Sequence, residues 1–315
     1  MLTHSPKTVD ELFLITNKIK GSYLFHAGGT DLVPYLKSSS DIPNNIIFLN
    51  RVTSISEITV HADSLSIGSM VTLDQLANNP LINKNCSTLA DAARLIASPQ
   101  IRCKGTVGGN ILVDNRCHFY NQSPFNRGSH GECFKAGGSS CQLVPSTKSS
   151  DHPTCRARSV SDLVPTLLIL NASLVVRSAD LERKISVRDF FKDDGITRNT
   201  LKVEEIVVSI EIPDQECSFV KYRKLRIRNA IDFPALGVAV GIKKSRDLSV
   251  AITGVNTAPL FHSYQLSDFS DFEQMVAHAC SEGKKRIKPL KQDAFPPAYK
   301  KLMVDQFIRS MISEY

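Results

Sequence analysis

SYLFHAGGTDLVPYLK (residues 22–37) joins an apolar, strand-like run to two consecutive glycines, a threonine and an aspartate. Adjacent glycines allow positive φ and let backbone amides approach an anion closely. Thr30 adds a hydroxyl donor, and Asp31 is placed to cap the turn through VPYLK. The same chemistry recurs in GTVGGN (105–110), with two glycines, the Thr106 hydroxyl, and an Asn110 side chain that both donates and accepts. One such loop is as readily a tight turn. Two of them together point to a dinucleotide pyrophosphate site. Neither is the G-x-G-x-x-G fingerprint or the G-x-x-x-x-G-K-[ST] P-loop, so a nucleotide fold of another kind is expected.

The surroundings alternate strand and helix signals. IIFLN (46–50) and SLSIGS (64–69) read as strands, and Thr72 with Gln75 forms a capping box opening a helix. STLADAARLIA (87–97) sets Leu89, Ala92, Ala93 and Ile96 at helical spacing. SDLVPTLLILNASLVVR (161–177) holds two apolar runs parted by Asn-Ala-Ser, as in a hairpin. EEIVVSIEIP (204–213), SFVKYRKL (218–225), ALGVAVGIKK (235–244) and LSVAITGV (248–255) have strand content. The closing PPAYKKLMVDQFIRSMI predicts an amphipathic helix with Tyr299, Met303, Phe307 and Met311 on its core face.

A chain of 315 residues with 42% hydrophobic and 22% charged residues reads as a soluble globular protein of two domains, parted near residue 214. No apolar run reaches the ~18–20 residues of a membrane span. The N-terminus lacks the basic start and apolar core of a secretory leader, so a reducing cytoplasm is expected. The net charge of +7 is spread along the chain, and its densest run, KKRIKPLKQ (284–292), reads as a solvated face rather than a nucleic-acid site. No Ser-His-Asp or paired-carboxylate constellation marks a catalytic residue.

Eight cysteines in a reducing compartment are not read as disulfides. Cys217 and Cys280 sit in apolar surroundings, as buried small hydrophobes do. Cys117, Cys133, Cys141 and Cys155, however, fall in a Ser-, Gly-, Asn- and Pro-rich stretch (114–158) with few large apolar residues and no expected secondary structure. Ordering backbone costs ~1–2 kcal/mol per residue, which apolar burial does not offset here. Four thiolates on a metal centre contribute on the order of 10 kcal/mol in small domains. The spacing lacks the C-x(2–4)-C knuckles of structural zinc and suits a cubane cluster, each iron held by one thiolate. Zinc, and a disordered insert with incidental thiols, stay open on spacing alone.

In order, HAGGTDLVPYLK, IASPQIRCKGTVGGNI, SDLVPTLLIL, EEIVVSIEIP and KYRKLRIRNAIDFPALGVAV resemble the FAD-binding (medium) subunits of molybdenum hydroxylases, the xanthine dehydrogenase and carbon monoxide dehydrogenase flavoprotein family. RCHFYNQS with the three later cysteines resembles the extra [4Fe–4S] loop of the 4-hydroxybenzoyl-CoA reductase β subunit. The chain departs from relatives carrying that loop: it has no Trp near SPFNRG, and Gln142 rather than His follows Cys141.

The resemblance implies an α+β fold. Its FAD-binding domain of two α/β subdomains (PCMH-type) covers 1–213, with the cluster loop inserted at about 114–158, and a smaller C-terminal α+β domain covers 214–315. It places FAD on Phe25, His26, Ala27, Gly28, Gly29, Thr30, Asp31 and Leu32, on Thr106, Gly108, Gly109 and Asn110, and on Asp162. Val207 and Lys224 would flank the flavin ring, and Cys117, Cys133, Cys141 and Cys155 would bind the [4Fe–4S] cluster. Implied partners are a large molybdopterin subunit, a small [2Fe–2S] subunit and a ferredoxin-like carrier. Alternatives are the FAD subunit of a xanthine- or aldehyde-oxidising complex using NAD, and, in another class, a zinc-stabilised non-catalytic binding protein. Read without the resemblance, Asp162 is a turn cap and Lys224 a surface lysine.

Overall fold

The computed structural model of the chain describes residues 1–39, 41–144, 154–214 and 216–315. The chain forms two units. One comprises Met1–Leu112, Asn171–Phe190 and Leu201–Asp214, and the other Val113–Leu170, Phe191–Thr200 and Gln215–Tyr315.

The first unit holds β1 (Leu2–His4), β2 (Tyr23–His26), β3 (Asn45–Phe48), β4 (Ile58–Val60), β5 (Ser64–Gly68), β6 (Ser173–Arg177), β7 (Glu182–Ser186) and β8 (Ile206–Pro213). Strands β1, β3 and β2 make a parallel sheet in that order, and β4-β5-β8-β6-β7 make an antiparallel one. The Val9–Lys18 helix starts at Thr8, whose hydroxyl accepts from the Glu11 N–H at 3.0 Å, and buries Val9, Leu12 and Phe13 against Ile47 and Leu49. The capping box at Thr72 and Gln75 is present, with reciprocal bonds of 3.1 and 2.9 Å. It also positions the second glycine loop, because Thr72 bridges Thr106 and the Leu73 N–H donates to the Gly105 carbonyl at 2.8 Å.

The second unit is built on an antiparallel meander, β9 (Cys217–Leu225), β10 (Leu236–Lys243), β11 (Leu248–Thr253) and β12 (Leu260–Tyr264), in spatial order β12-β11-β10-β9. The β10 sequence LGVAVGIK alternates large and small residues, and strand geometry sends these to opposite faces. Leu236, Val238, Val240 and Ile242 enter a core with Met275, Val304 and Ile308 from the Phe272–Arg286 and Pro297–Ile312 helices. The other face carries Gly237, Ala239 and Gly241. A Cβ on Gly241 would stand 2.3 Å from Ile169 Cγ2, so the missing side chain is what lets the Leu163–Ile169 helix lie on the sheet.

Three expectations are corrected. Residues 161–177 are not a hairpin. The first apolar run is the Leu163–Ile169 helix and the second is β6, in different units. Every residue of that helix is buried, so it shows no amphipathic period, and Asn171 ends it with φ 53°, the left-handed conformation of a helix C-terminus rather than a hairpin turn. In the final helix the core face is Lys300, Val304, Phe307, Ile308 and Met311, while Tyr299 is exposed. Lys300 is accommodated there by Asp293, 2.6 Å from its Nζ. The cysteine stretch is also not without secondary structure. Pro124–His130 is helical, started by Ser123, whose hydroxyl accepts from the Asn126 N–H at 3.3 Å. Residues 145–153 of that stretch lie outside the described residues.

Among the described residues no helix is long and apolar enough to cross a membrane. Replacing Ile308 by Ala should cost about 2–5 kcal/mol in denaturant unfolding. Leu302→Ala, on the 61% exposed neighbour, should stay within about 0.5 kcal/mol.

Candidate functional site

The two glycine loops lie against each other within the first unit. A Cβ on Gly28 would stand 1.8 Å from the Lys104 carbonyl oxygen, and one on Gly105 would be 3.6 Å from the Thr30 hydroxyl. Gly29 adopts φ +72° and sits over the His26 ring, 2.4 Å from its Cβ position to Nε2. Gly108 packs on Ser69, to whose carbonyl its N–H donates at 2.8 Å. The Gly109 N–H donates to Thr106 Oγ1 at 3.1 Å, making Thr106 the cap of the Val107–Ile111 helix. Phe25 and His26 end β2, Leu32 opens the Leu32–Ser38 helix, and Asn110 lies in the Val107–Ile111 helix. Asp31 occupies the cap position of its helix, but its side chain makes no capping bond, contrary to the expectation for it.

This cradle fits a phosphate-bearing cofactor. The N–H groups of Gly28, Gly29 and Thr30 donate to no acceptor among the described residues, and His26 Nδ1 is buried without a partner. Side chains at Gly28 and Gly108 would close the loops that leave these donors clustered. Val207 is buried on β8, where the register with β6 shifts at Val175/Val176. Sequence reasoning missed its neighbour Glu205. Arg183 donates to both Glu205 oxygens at 2.8 Å, and the Lys202 N–H adds a third bond of 2.8 Å. The hydrogen bonds from Arg183, against the opposing effect of burial, hold this carboxyl below its ordinary range.

Asp162 and Lys224 come together in the second unit. Lys224 Nζ donates to Asp162 Oδ2 at 2.8 Å, with side chains 1% and 3% exposed, and the Tyr222 hydroxyl donates to Oδ1 at 2.7 Å. The capping and surface-lysine readings are both overturned: Asp162 makes no capping bond and Lys224 is buried. Tyr222 carried a signal that was passed over, since residues i and i+2 of a strand share a face. It lies opposite Ala239 and Lys224 opposite Gly237, small residues that leave room for them. A Cβ on Gly237 would be 2.4 Å from the Tyr222 oxygen. Burial pushes the Asp162 carboxyl up and the Lys224 ammonium down, each opposed by the other's charge. Burial, then the neighbouring carboxylate, raises the Tyr222 phenol and keeps it a donor.

Cys117, Cys133, Cys141 and Cys155 are all buried and line one pocket in the second unit, with Phe119, Tyr120 and Lys135. The Cys117 N–H donates to Asn121 Oδ1 at 2.8 Å, and the Cys155 N–H to Asp194 Oδ1 at 3.0 Å. A Cβ on Gly195 would be 2.7 Å from the Cys155 sulfur. Burial pushes the Cys155 thiol up to about 11. Cys86 and Cys280 rise as far for the same reason, so burial alone does not mark a ligand, and convergence is what sets the four apart. Among the described residues no three or more His, Cys, Asp or Glu side chains are arranged to hold a metal ion.

A family model for the FAD binding domain in molybdopterin dehydrogenase matches residues 2–215, and the chain belongs to that family. It is thereby a flavoprotein subunit of the oxidoreductase class. It is 26% identical over 257 residues to the carbon monoxide dehydrogenase medium chain of Hydrogenophaga pseudoflava, covering 80% of this chain and 74% of that one. It is 28% identical over 259 residues to the aldehyde oxidoreductase FAD-binding subunit of Escherichia coli, covering 80% of each. The solved carbon monoxide dehydrogenase from H. pseudoflava lacking the Mo-pyranopterin moiety aligns with TM-score 0.75 over 99% of this chain and 96% of that one, at 21% identity. That likeness is one of fold: a mixed helix-and-sheet chain.

Asp162→Asn should cost about 3–5 kcal/mol by leaving the Lys224 ammonium buried without its counter-charge. The double variant with Lys224→Met should recover much of that loss in the same unfolding assay. Because the Glu205 carboxyl is depressed in the folded state, its contribution is present above the unfolded value of about 4.3 and is lost as pH falls through the folded one. Glu205→Gln should flatten the acid limb of the stability curve, read by denaturant melts at stepped pH.

Proposed function

We propose that this chain is the electron-transfer subunit of a molybdenum hydroxylase complex, carrying FAD on its glycine loops and a [4Fe–4S] cluster on Cys117, Cys133, Cys141 and Cys155. The observation that carries the cluster is the convergence of four buried cysteines, separated by 15, 7 and 13 residues, on one pocket. A single zinc ion needs its sulfurs packed about a point, each ~2.3 Å from the metal. A cubane takes each thiolate at a different iron corner and so accepts a wider ring of sulfurs. Four buried cysteines lining one pocket offer one thiolate for each iron corner. The reading makes the chain similar to the 4-hydroxybenzoyl-CoA reductase β subunit.

When bound, FAD supplies exchange of two electrons with one partner and of single electrons with iron–sulfur centres. The chain's own residues bind and orient. Gly28, Gly29 and Thr30 present amides to the pyrophosphate, with Phe25, His26, Ala27, Asp31 and Leu32 flanking them. Thr106, Gly108, Gly109 and Asn110 form the facing loop. Val207 would offer an apolar contact, whereas Asp162 and Lys224 spend their charges on each other inside the second unit.

Partners on this reading are a large molybdopterin subunit, a small [2Fe–2S] subunit and a ferredoxin-like carrier served by the cluster. A second reading is a xanthine- or aldehyde-oxidising complex with NAD at the flavin. Similarity to the aldehyde oxidoreductase FAD-binding subunit of E. coli supports the aldehyde-oxidising part of that reading and does not bear on NAD.

Protein purified without oxygen should contain one FAD and about four iron and four sulfide per chain, with visible absorption from both. Flavin without iron would leave the second reading, and zinc without flavin would sink both. Gly28→Ala should lower flavin content sharply while leaving iron in place, since its Cβ meets the Lys104 carbonyl within the first unit and the four cysteines belong to the second.

A further inference from the structure

We propose that Lys135 raises the reduction potential of the centre in the four-cysteine pocket by holding a buried positive charge at its wall. The inference rests on reading that pocket as a [4Fe–4S] site. Lys135 lines the pocket together with all four cysteines, and its side chain is 8% exposed. Its Nζ donates to Asp114 Oδ1 at 2.7 Å, to the Gly195 carbonyl at 3.0 Å and to the Asn115 carbonyl at 3.1 Å. These three bonds use all three ammonium protons. The charge therefore acts on the sulfurs through space and not as a hydrogen-bond donor to them.

Its counter-charge is incomplete. Asp114 is shared with Arg198, whose Nη1 lies 3.2 Å from the same oxygen, so it is not the counter-charge of Lys135 alone; a second carboxylate, Asp194, accepts from the Cys155 N–H at 3.0 Å. Arg156 also borders the pocket, so the variant at Lys135 isolates one of two nearby cations. Lys135 has an aromatic wall too, with Nζ 4.9 Å from the Tyr120 ring centroid.

A [4Fe–4S] cluster held in this pocket would take one electron, supplied by reduced flavin or a ferredoxin-type carrier, and no proton. It would gain one unit of negative charge, and the fixed Lys135 cation in a low-dielectric wall would favour that product over the oxidised form. A purely structural role would instead have Lys135 tie the Asn115 and Gly195 strands of chain together with no effect on the couple.

The test is a redox titration of the full chain, purified without oxygen, with the reduced cluster followed by low-temperature electron paramagnetic resonance. Lys135→Gln should load iron and sulfide normally. At a fixed potential its reduced-to-oxidised ratio should fall about tenfold, a downward shift of about 59 mV for one electron. Lys135→Arg should keep the wild-type potential, and Asp114→Asn should move it upward by removing the counter-charge. An unchanged potential in Lys135→Gln, or a failure of that variant to load iron while Lys135→Arg loads, assigns Lys135 a structural role and overturns the proposal. Wild-type protein without iron and sulfide would instead overturn the cluster reading beneath it.

Discussion

A carboxylate removed from water must find its hydrogen bonds inside the protein, and Asp162 takes them from Tyr222 and Lys224. Much of the second unit follows from that requirement. Two donors from one strand must sit two residues apart to share a face, which fixes the KYRKL spacing in β9. The neighbouring strand must then be small opposite each of them, and Gly237 and Ala239 are. The same small face admits the Leu163–Ile169 helix, which begins directly after the carboxylate. Charge, register and helix packing are thus one arrangement, and a change at any of its positions disturbs the others.

In the first unit the corresponding constraint is steric. The Gly28 backbone lies where any side chain would strike the Lys104 carbonyl, so the two glycine loops are held in contact by what both lack. The Thr72 capping box fixes the second loop through its bridge to Thr106, and β2 and β3 fix the first. Free amides are left pointing from a loop that has no freedom to fold over them.

Elements with their own local signal were legible in the sequence. The glycine pairs, the Thr72–Gln75 box and the β-branched runs each carry their geometry in adjacent residues. The Leu163–Ile169 helix was not legible, because a helix buried on all sides loses the period that distinguishes it from a strand. The face of the last helix was misjudged because Lys300 reads as a solvent residue, and only Asp293 explains its burial. At the site, the residues named from resemblance were the ones whose environment no local pattern reveals. Asp162 and Lys224 are separated by 61 intervening positions and meet only through the β9–helix packing. Lys135 lacked any motif and Tyr222 had only its i, i+2 relation to Lys224, and the partners of both are distant in the chain.

The path of the chain has a consequence for how the protein is made. It crosses between the units after residues 112, 170, 190, 200 and 214. Strand β8, in the middle of the antiparallel sheet of the first unit, is synthesised after the whole cysteine stretch. On a ribosome delivering the N-terminus first, that sheet stays incomplete until residue 213 has emerged, with β5 and β6 awaiting the strand that lies between them. The unpaired edges exposed in the interval are a template for wrong pairing. Neither unit can be released as a fragment by one cut, and assembly of the cysteine pocket overlaps in time with completion of the sheet.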